Sequence, residues 1–283
     1  MKECGRSKSE VLRKFAPSDN YGSPGYPAYK QGYYLANETR KILGLSPDEP
    51  ITSLRDLCEA IDIAVVQTEL SPKIAGATIA VAGERGIVLN INGPNANVWV
   101  RRATLAHELA HLFWDSEERL EHITVDDYKS LNSQPARNSD RVEARANAFA
   151  IALLAPPVAT ARRFEAAVSP EEGLSDIMSH FGLSFSAARH HISNCTGKVI
   201  NVGHIDPLPS DEWTARENST VDFFPDHRTP FSRRGKFAEN VVAALDAEII
   251  SEDSAARYLN IDIDSLADRL PSLRGLFPSV RAQ

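Results

Sequence analysis

His107 and His111 stand four residues apart, with Glu108 directly after the first, inside the apolar run TLAHELAHLFWD at 104–115. On a helix, residues four apart share a face, so the two imidazoles can be presented to one ion. Glu108 is rotated by about 100° from His107. It lies beside the ion, where a carboxylate suits the general base that takes a proton from an attacking water. Leu105, Ala106, Leu109 and Leu112 can bury the other face. Zinc, as Zn2+, fits such a pair, and for hydrolysis it needs a third protein ligand and an open fourth position. Glu143 is the candidate, on the stretch EARANAFAIALL, where Ala146, Phe149, Ala150 and Leu153 form a core-facing stripe. Asn147, one turn further on, is placed to hydrogen-bond the outer nitrogen of a ligating histidine. Glu117, Glu118 and Glu121 are nearer in sequence but lie in a polar run without an apolar face.

These residues need elements to hold them. PNANVWVRRATLAHELAHLFWD reads as one long helix with Asn95 or Asn97 near its start, and DRVEARANAFAIALLAPP as a second, stopped by Pro156 and Pro157. Residues 115–140 between them read as a polar loop or marginal helix, placed to cover a cleft. Ahead of the first helix, IAVV, ATIAVAG and GIVLNIN are short β-rich runs, with a hairpin turning at Gly83 to Gly86. GYYLANETRKILGL and the Ser53-capped SLRDLCEAI read as amphipathic helices, and Cys58 falls on the core face of the latter. LSDIMSHFGLSFSAARHHI and ISEDSAARYLNIDIDSLADRL each have a helix–turn–helix look. The first has a single arginine and no lysine, which is poor in donors for phosphate and base edges.

The expected organisation is a loose N-terminal segment over 1–30 and a domain carrying the metal-site residues over 31–200 with the helix–turn–helix-like segment at about 174–195. A linker over 201–235 and a small helical C-terminal domain over 236–283 follow. The fold class is α+β, a domain with a small sheet and the HELAH helix followed by a mainly helical domain.

The chain has 283 residues, a net charge of -7 and a pI of about 5.7, so nucleic acid is not the default partner. The basic cluster RTPFSRRGK at 228–236, with Phe231, is a candidate for single-stranded nucleic acid, against the simpler reading as a solvated loop. Three widely spaced cysteines, Cys4, Cys58 and Cys195, suggest no disulfide framework. No signal-peptide pattern or membrane span is read in the sequence, so a cytoplasmic location is expected.

The ordered set GIVLNIN, RRATLAHELAH and EARANAFAIALLAPP resembles the ImmA/IrrE family of zinc metallo-endopeptidases over roughly residues 30–200. Members usually carry RFTLAHELGH and end the second helix with LLMP. Here Ala103 stands for the phenylalanine, Ala110 for the glycine and LLAPP for the ending, changes that touch packing and spare the ligands. The resemblance implies a zincin-like zinc metallopeptidase domain over 31–200, with His107, His111 and Glu143 as zinc ligands and Glu108 as catalytic base. It further implies a regulatory peptidase that cleaves a helix–turn–helix repressor at one site, in a stress, mobile-element or phage-defence response. A nearby-encoded repressor is then the protein partner, with a nucleic-acid or small-molecule activator and no membrane. The helix after the second turn packs near the site in the family, which makes His190 and His191 candidate oxyanion donors. Cys195, and less readily Cys4, are candidate thiol latches on the open metal position. The alternative reading is a DNA-binding or antitoxin-like regulator that holds its partner without cutting it.

Overall fold

A computed structural model describes residues 10–18, 20, 23, 25–81, 84–120, 124–127, 138–205, 211–222, 224 and 226–275. The chain is mixed α+β and mostly helical. Helices α1 (Ala28–Ile42) and α2 (Leu54–Ala60) precede strands β1 (Ala64–Thr68), β2 (Ile74–Val81) and β3 (Glu84–Asn90). A 3-10 turn (Gly93–Ala96) leads into α3 (Val98–Trp114), then α4 (Glu117–Leu120), β4 (Thr124–Asp127) and α5 (Asn138–Leu154). Helices α6 (Pro157–Ala166), α7 (Pro170–Phe181), α8 (Phe185–Thr196) and α9 (Asp211–Asp222) follow. The described chain ends in α10 (Lys236–Asp246), α11 (Glu252–Leu259) and α12 (Ile263–Gly275).

The sheet order is β1-β3-β2-β4. β3 runs parallel to β1 and antiparallel to β2, and β4 pairs antiparallel with β2, with an irregularity between Ile74 and Gly76. β3 is therefore paired on both sides, so the segment GIVLNIN is no edge for a substrate strand to join. Glu84 and Gly86 are already in β3, with Val81 opposite Glu84. Residues 84–86 of the expected turn at 83–86 are thus strand, and residues 82 and 83 lie outside the described residues, as do 121–123 and 128–137 of the polar stretch read between the two site helices, whose described part includes α4 and β4.

Asn97, one of the two expected caps, accepts a hydrogen bond from Trp99 N at 2.8 Å and starts α3 after the 3-10 turn. Pro156 and Pro157 do end α5, but Pro157 also opens α6 at its first turn, where its missing N–H costs nothing. Between α7 and α8, Gly182 takes the left-handed conformation at φ 69°. Leu174, Ile177, Met178, Phe181, Ala188 and Ile192 of this pair are all buried in the main core. The first helix–turn–helix-like segment is thus fastened to the body that carries the sheet, α3 and α5, and Cys58 is in the same core.

Three stretches pack more tightly than expected. Leu12 and Phe15, inside the segment read as loose, are buried, and α1 begins at Ala28. The stretch read as a linker contains α9, whose Trp213 is 3% exposed and whose Glu217 reaches α2 and α3. The basic cluster is largely consumed by packing. Arg234 is buried and donates to Thr229 O, Arg233 donates to Thr68, and Lys236 pairs with Asp62 and Glu239. A separate core of Phe224, Val241, Val242, Ala255, Leu259, Leu266 and Leu270 joins α10, α11 and α12. Among the described residues no single helix is long and apolar enough to cross a membrane.

Candidate metal centre

α3 and α5 pack side by side and bring His107, His111 and Glu143 together, with one ligand atom from each within 4.8 Å of the others. Burial of Ala146, Phe149, Ala150 and Leu153 fixes the roll of α5, which turns Glu143 and Asn147 toward α3. The two Nε2 atoms are 3.0 Å apart. Glu143 Oε2 is 3.2 Å from that of His107 and 3.6 Å from that of His111.

The outer ring nitrogens are both engaged. His107 Nδ1 donates to Asn147 Oδ1 at 2.9 Å, and His111 Nδ1 donates to Asp115 Oδ2 at 2.8 Å. These partners select the tautomers that leave both Nε2 lone pairs directed at the cluster. Two lone pairs and a carboxylate oxygen then converge in a site where both histidines are buried, an arrangement that calls for a cation. Burial draws the His111 pKa down, but the hydrogen bonds and charges of Asp115 and Glu143 outweigh it and hold it well above 6.5, so that a metal takes this Nε2 lone pair by displacing a proton. Burial pushes Glu143 up, yet His107 and His111 hold its carboxyl well below the usual carboxylate range. Ligand bonds of about 2.0–2.1 Å give a tetrahedral zinc set edges of about 3.4 Å. The three observed separations bracket that value, so the donor set fits zinc in both chemistry and size.

Glu108 lies off this triangle, fully buried against β2, where Thr78 Oγ1 donates to its Oε2 at 2.6 Å. A Cβ on Gly76 would stand 2.7 Å from Glu108 Oε1, so a bare backbone is needed there to seat the carboxylate. Sequence reasoning missed Thr78, Gly76 and Asp115. For Asp115 a signal existed: an acid four residues after His111 at the helix C-terminus shares its face.

The other expected site residues are placed elsewhere. His190 is exposed on α8. His191 is buried and bonds Tyr33 Oη through Nδ1 at 2.6 Å and Ala155 O through Nε2 at 2.8 Å. Ala155 follows Glu143 by twelve residues, which along a helix is ~18 Å. His191 therefore serves the packing of α8 on α1 and α5, and an oxyanion at the metal is out of its reach. Cys195 Sγ sits 3.6 Å from His191 Nε2, at the same remote end, and burial pushes its thiol up to about 12. A protonated thiol so placed is no latch, and Cys195→Ser is expected to leave basal peptidase activity unchanged; a rise in an initial-rate assay would restore the latch. Cys4 lies outside the described residues.

His191 also sets a pH dependence. Burial lowers its pKa to about 4 from the ordinary 6.5, partly opposed by the bond to Ala155 O. The unfolded chain takes up a proton below pH 6.5 that the folded chain refuses until about pH 4. Stability is therefore expected to fall as pH drops through that window, by up to about 3 kcal/mol. Thermal melts of wild type and His191→Gln across pH 4–6.5 check this; parallel slopes would remove His191 as the source.

Residues 58–193 match the family model described as Peptidase_M78, IrrE N-terminal-like domain. A search of curated proteins finds no match. The matched span runs from the end of α2 to the last turns of α8 and contains the whole cluster. The chain therefore carries a peptidase M78, IrrE N-terminal-like metallopeptidase domain with His107, His111 and Glu143 as its candidate metal ligands.

Proposed function

We propose that this protein is a zinc-dependent endopeptidase of the cytoplasm that cuts one regulatory protein, a helix–turn–helix transcriptional repressor encoded nearby. The cut relieves repression in a stress, mobile-element or phage-defence response. The observation that carries the catalytic part is the triangle of two Nε2 atoms and one carboxylate oxygen beside a buried, Thr78-anchored Glu108. The regulatory part rests on the family resemblance and on a chain that spends much of its length outside the matched domain.

His107, His111 and Glu143 would hold the zinc. When bound, it supplies Lewis acidity that activates water and polarises the scissile carbonyl. Asn147 and Asp115 keep the Nδ1 protons in place, so neither imidazole swings away or switches tautomer. Glu108 takes the proton of the attacking water on its carboxylate and returns it to the departing amine. The Thr78 hydroxyl fixes the rotation of that carboxylate throughout.

Co-expression with the neighbouring helix–turn–helix regulator tests the proposal, with intact mass of the regulator as readout. A single cut with wild type and none with Glu108→Gln is the expected result. A stable complex with no cut by wild type, with and without DNA damage, would replace it with the non-proteolytic, antitoxin-like role.

A further inference from the structure

Asp115 holds His111 from behind the metal cluster, and it is itself held. Its Oδ2 faces His111 Nδ1 at 2.8 Å and Arg119 Nε at 3.1 Å, and its Oδ1 pairs with Arg145 Nη2. Arg145, 2% exposed, sends its other arm to the N-terminal segment, where Nη1 donates to Ser18 O at 2.6 Å and Asn20 O at 3.4 Å. The same segment fastens to the last turn of α3. Ser18 N donates to Trp114 O at 2.8 Å, Phe15 stacks on Phe113 with centroids 4.1 Å apart, and Phe15 meets Trp114 edge-on at 5.5 Å.

We propose that Asp115 is a positioning residue for the metal ligand His111, and that the segment around Phe15–Ser18, acting through Arg145, is part of the device that positions it. This rests on the zinc reading given above. Asp115 is 3% exposed, and both its oxygens are held in place by His111, Arg119 and Arg145, so its plane is set by those partners. Arg145 in turn needs acceptors for both arms, and the N-terminal backbone supplies those of Nη1. Freed from Ser18 and Asn20, Nη1 of Arg145 loses two acceptors, and its hold on Asp115, and through Asp115 on His111, loosens. The N-terminal segment thus reaches the metal through three side chains without touching it.

The test uses the full-length protein and measures zinc affinity by competition with a chromophoric chelator, with circular dichroism and melting of the metal-free protein alongside. Asp115→Asn is expected to weaken zinc binding by about 10- to 100-fold with the fold intact. Phe15→Ala, which unseats the segment, is expected to weaken it several-fold. The double variant should bind no more weakly than Asp115→Asn alone, because both act on one device. Leu259→Ala, in the separate core of α10, α11 and α12, controls for lost stability and should leave zinc affinity unchanged.

Wild-type affinity in Asp115→Asn overturns the positioning role. Additive losses, or a Phe15→Ala variant that melts earlier but binds zinc normally, overturn the coupling to the N-terminal segment. A wild-type protein that binds no zinc fails the metal reading itself and this proposal with it, and that arm is read first.

Discussion

Glu108→Gln is expected to keep its zinc and its fold and to cleave about 10²- to 10⁴-fold more slowly than wild type, the usual contribution of a positioned general base. The fold should hold because the amide oxygen of glutamine can accept the Thr78 hydroxyl as Oε2 does, and the side-chain volume hardly changes. Zinc should hold because Glu108 is outside the group of His107, His111 and Glu143. The amide has no basic oxygen for the proton of water, so the chemical step loses its base while binding survives. Single-turnover rates on the regulator, with metal content measured on the same samples, separate the cases. Wild-type rates would remove Glu108 as the base, whereas parallel loss of rate and zinc would move its role to the metal pocket.

The parts of this site that a reader of the sequence can find are those set by helical period. His107, His111, Glu143 and Asn147 each follow from spacing on one helix face combined with an apolar stripe that fixes the roll of the helix. The parts that escape are those set across elements. Gly76 and Thr78 lie on a strand some thirty residues before Glu108, and only the register of β2 against α3 brings them to it. His191 shows the converse error. Its residue type suits an oxyanion donor and its helix does pack on α5, but nothing in the sequence measures how far along α5 it docks. The N-terminal segment and the stretch at 201–235 mislead for a compositional reason. Prolines, glycines and polar residues signal loops correctly, yet single large side chains within or beside them, Phe15 and Trp213, are enough to pin them to the core.

The second large effect lies in that supposed linker, outside the matched domain. Glu217→Ala is expected to cost about 3–5 kcal/mol of stability, the penalty for removing one partner of a buried ion pair. Glu217 on α9 pairs with Arg102 at the base of α3, and its carboxylate also accepts from Leu54 N and Arg55 N at the start of α2. Arg102 is 2% exposed and packed under the Trp213 ring, its guanidinium carbon 4.2 Å from the ring centroid. It keeps the carbonyls of Ile51 and Thr52 as acceptors, but these carry no charge to offset its own. Without Glu217, a guanidinium buried in the body of the protein loses its counter-charge and two backbone N–H groups lose their acceptor. Because Arg102 stands five residues before His107 on the same helix, loosening it lets α3 shift as a unit, and activity should fall with stability. Glu217→Gln, which retains acceptors but not charge, should lie between the two. Urea denaturation of the three proteins measures the series, and a loss below about 1 kcal/mol for Glu217→Ala, the range of an exposed pair, would show that α9 only leans on the peptidase domain and does not brace it.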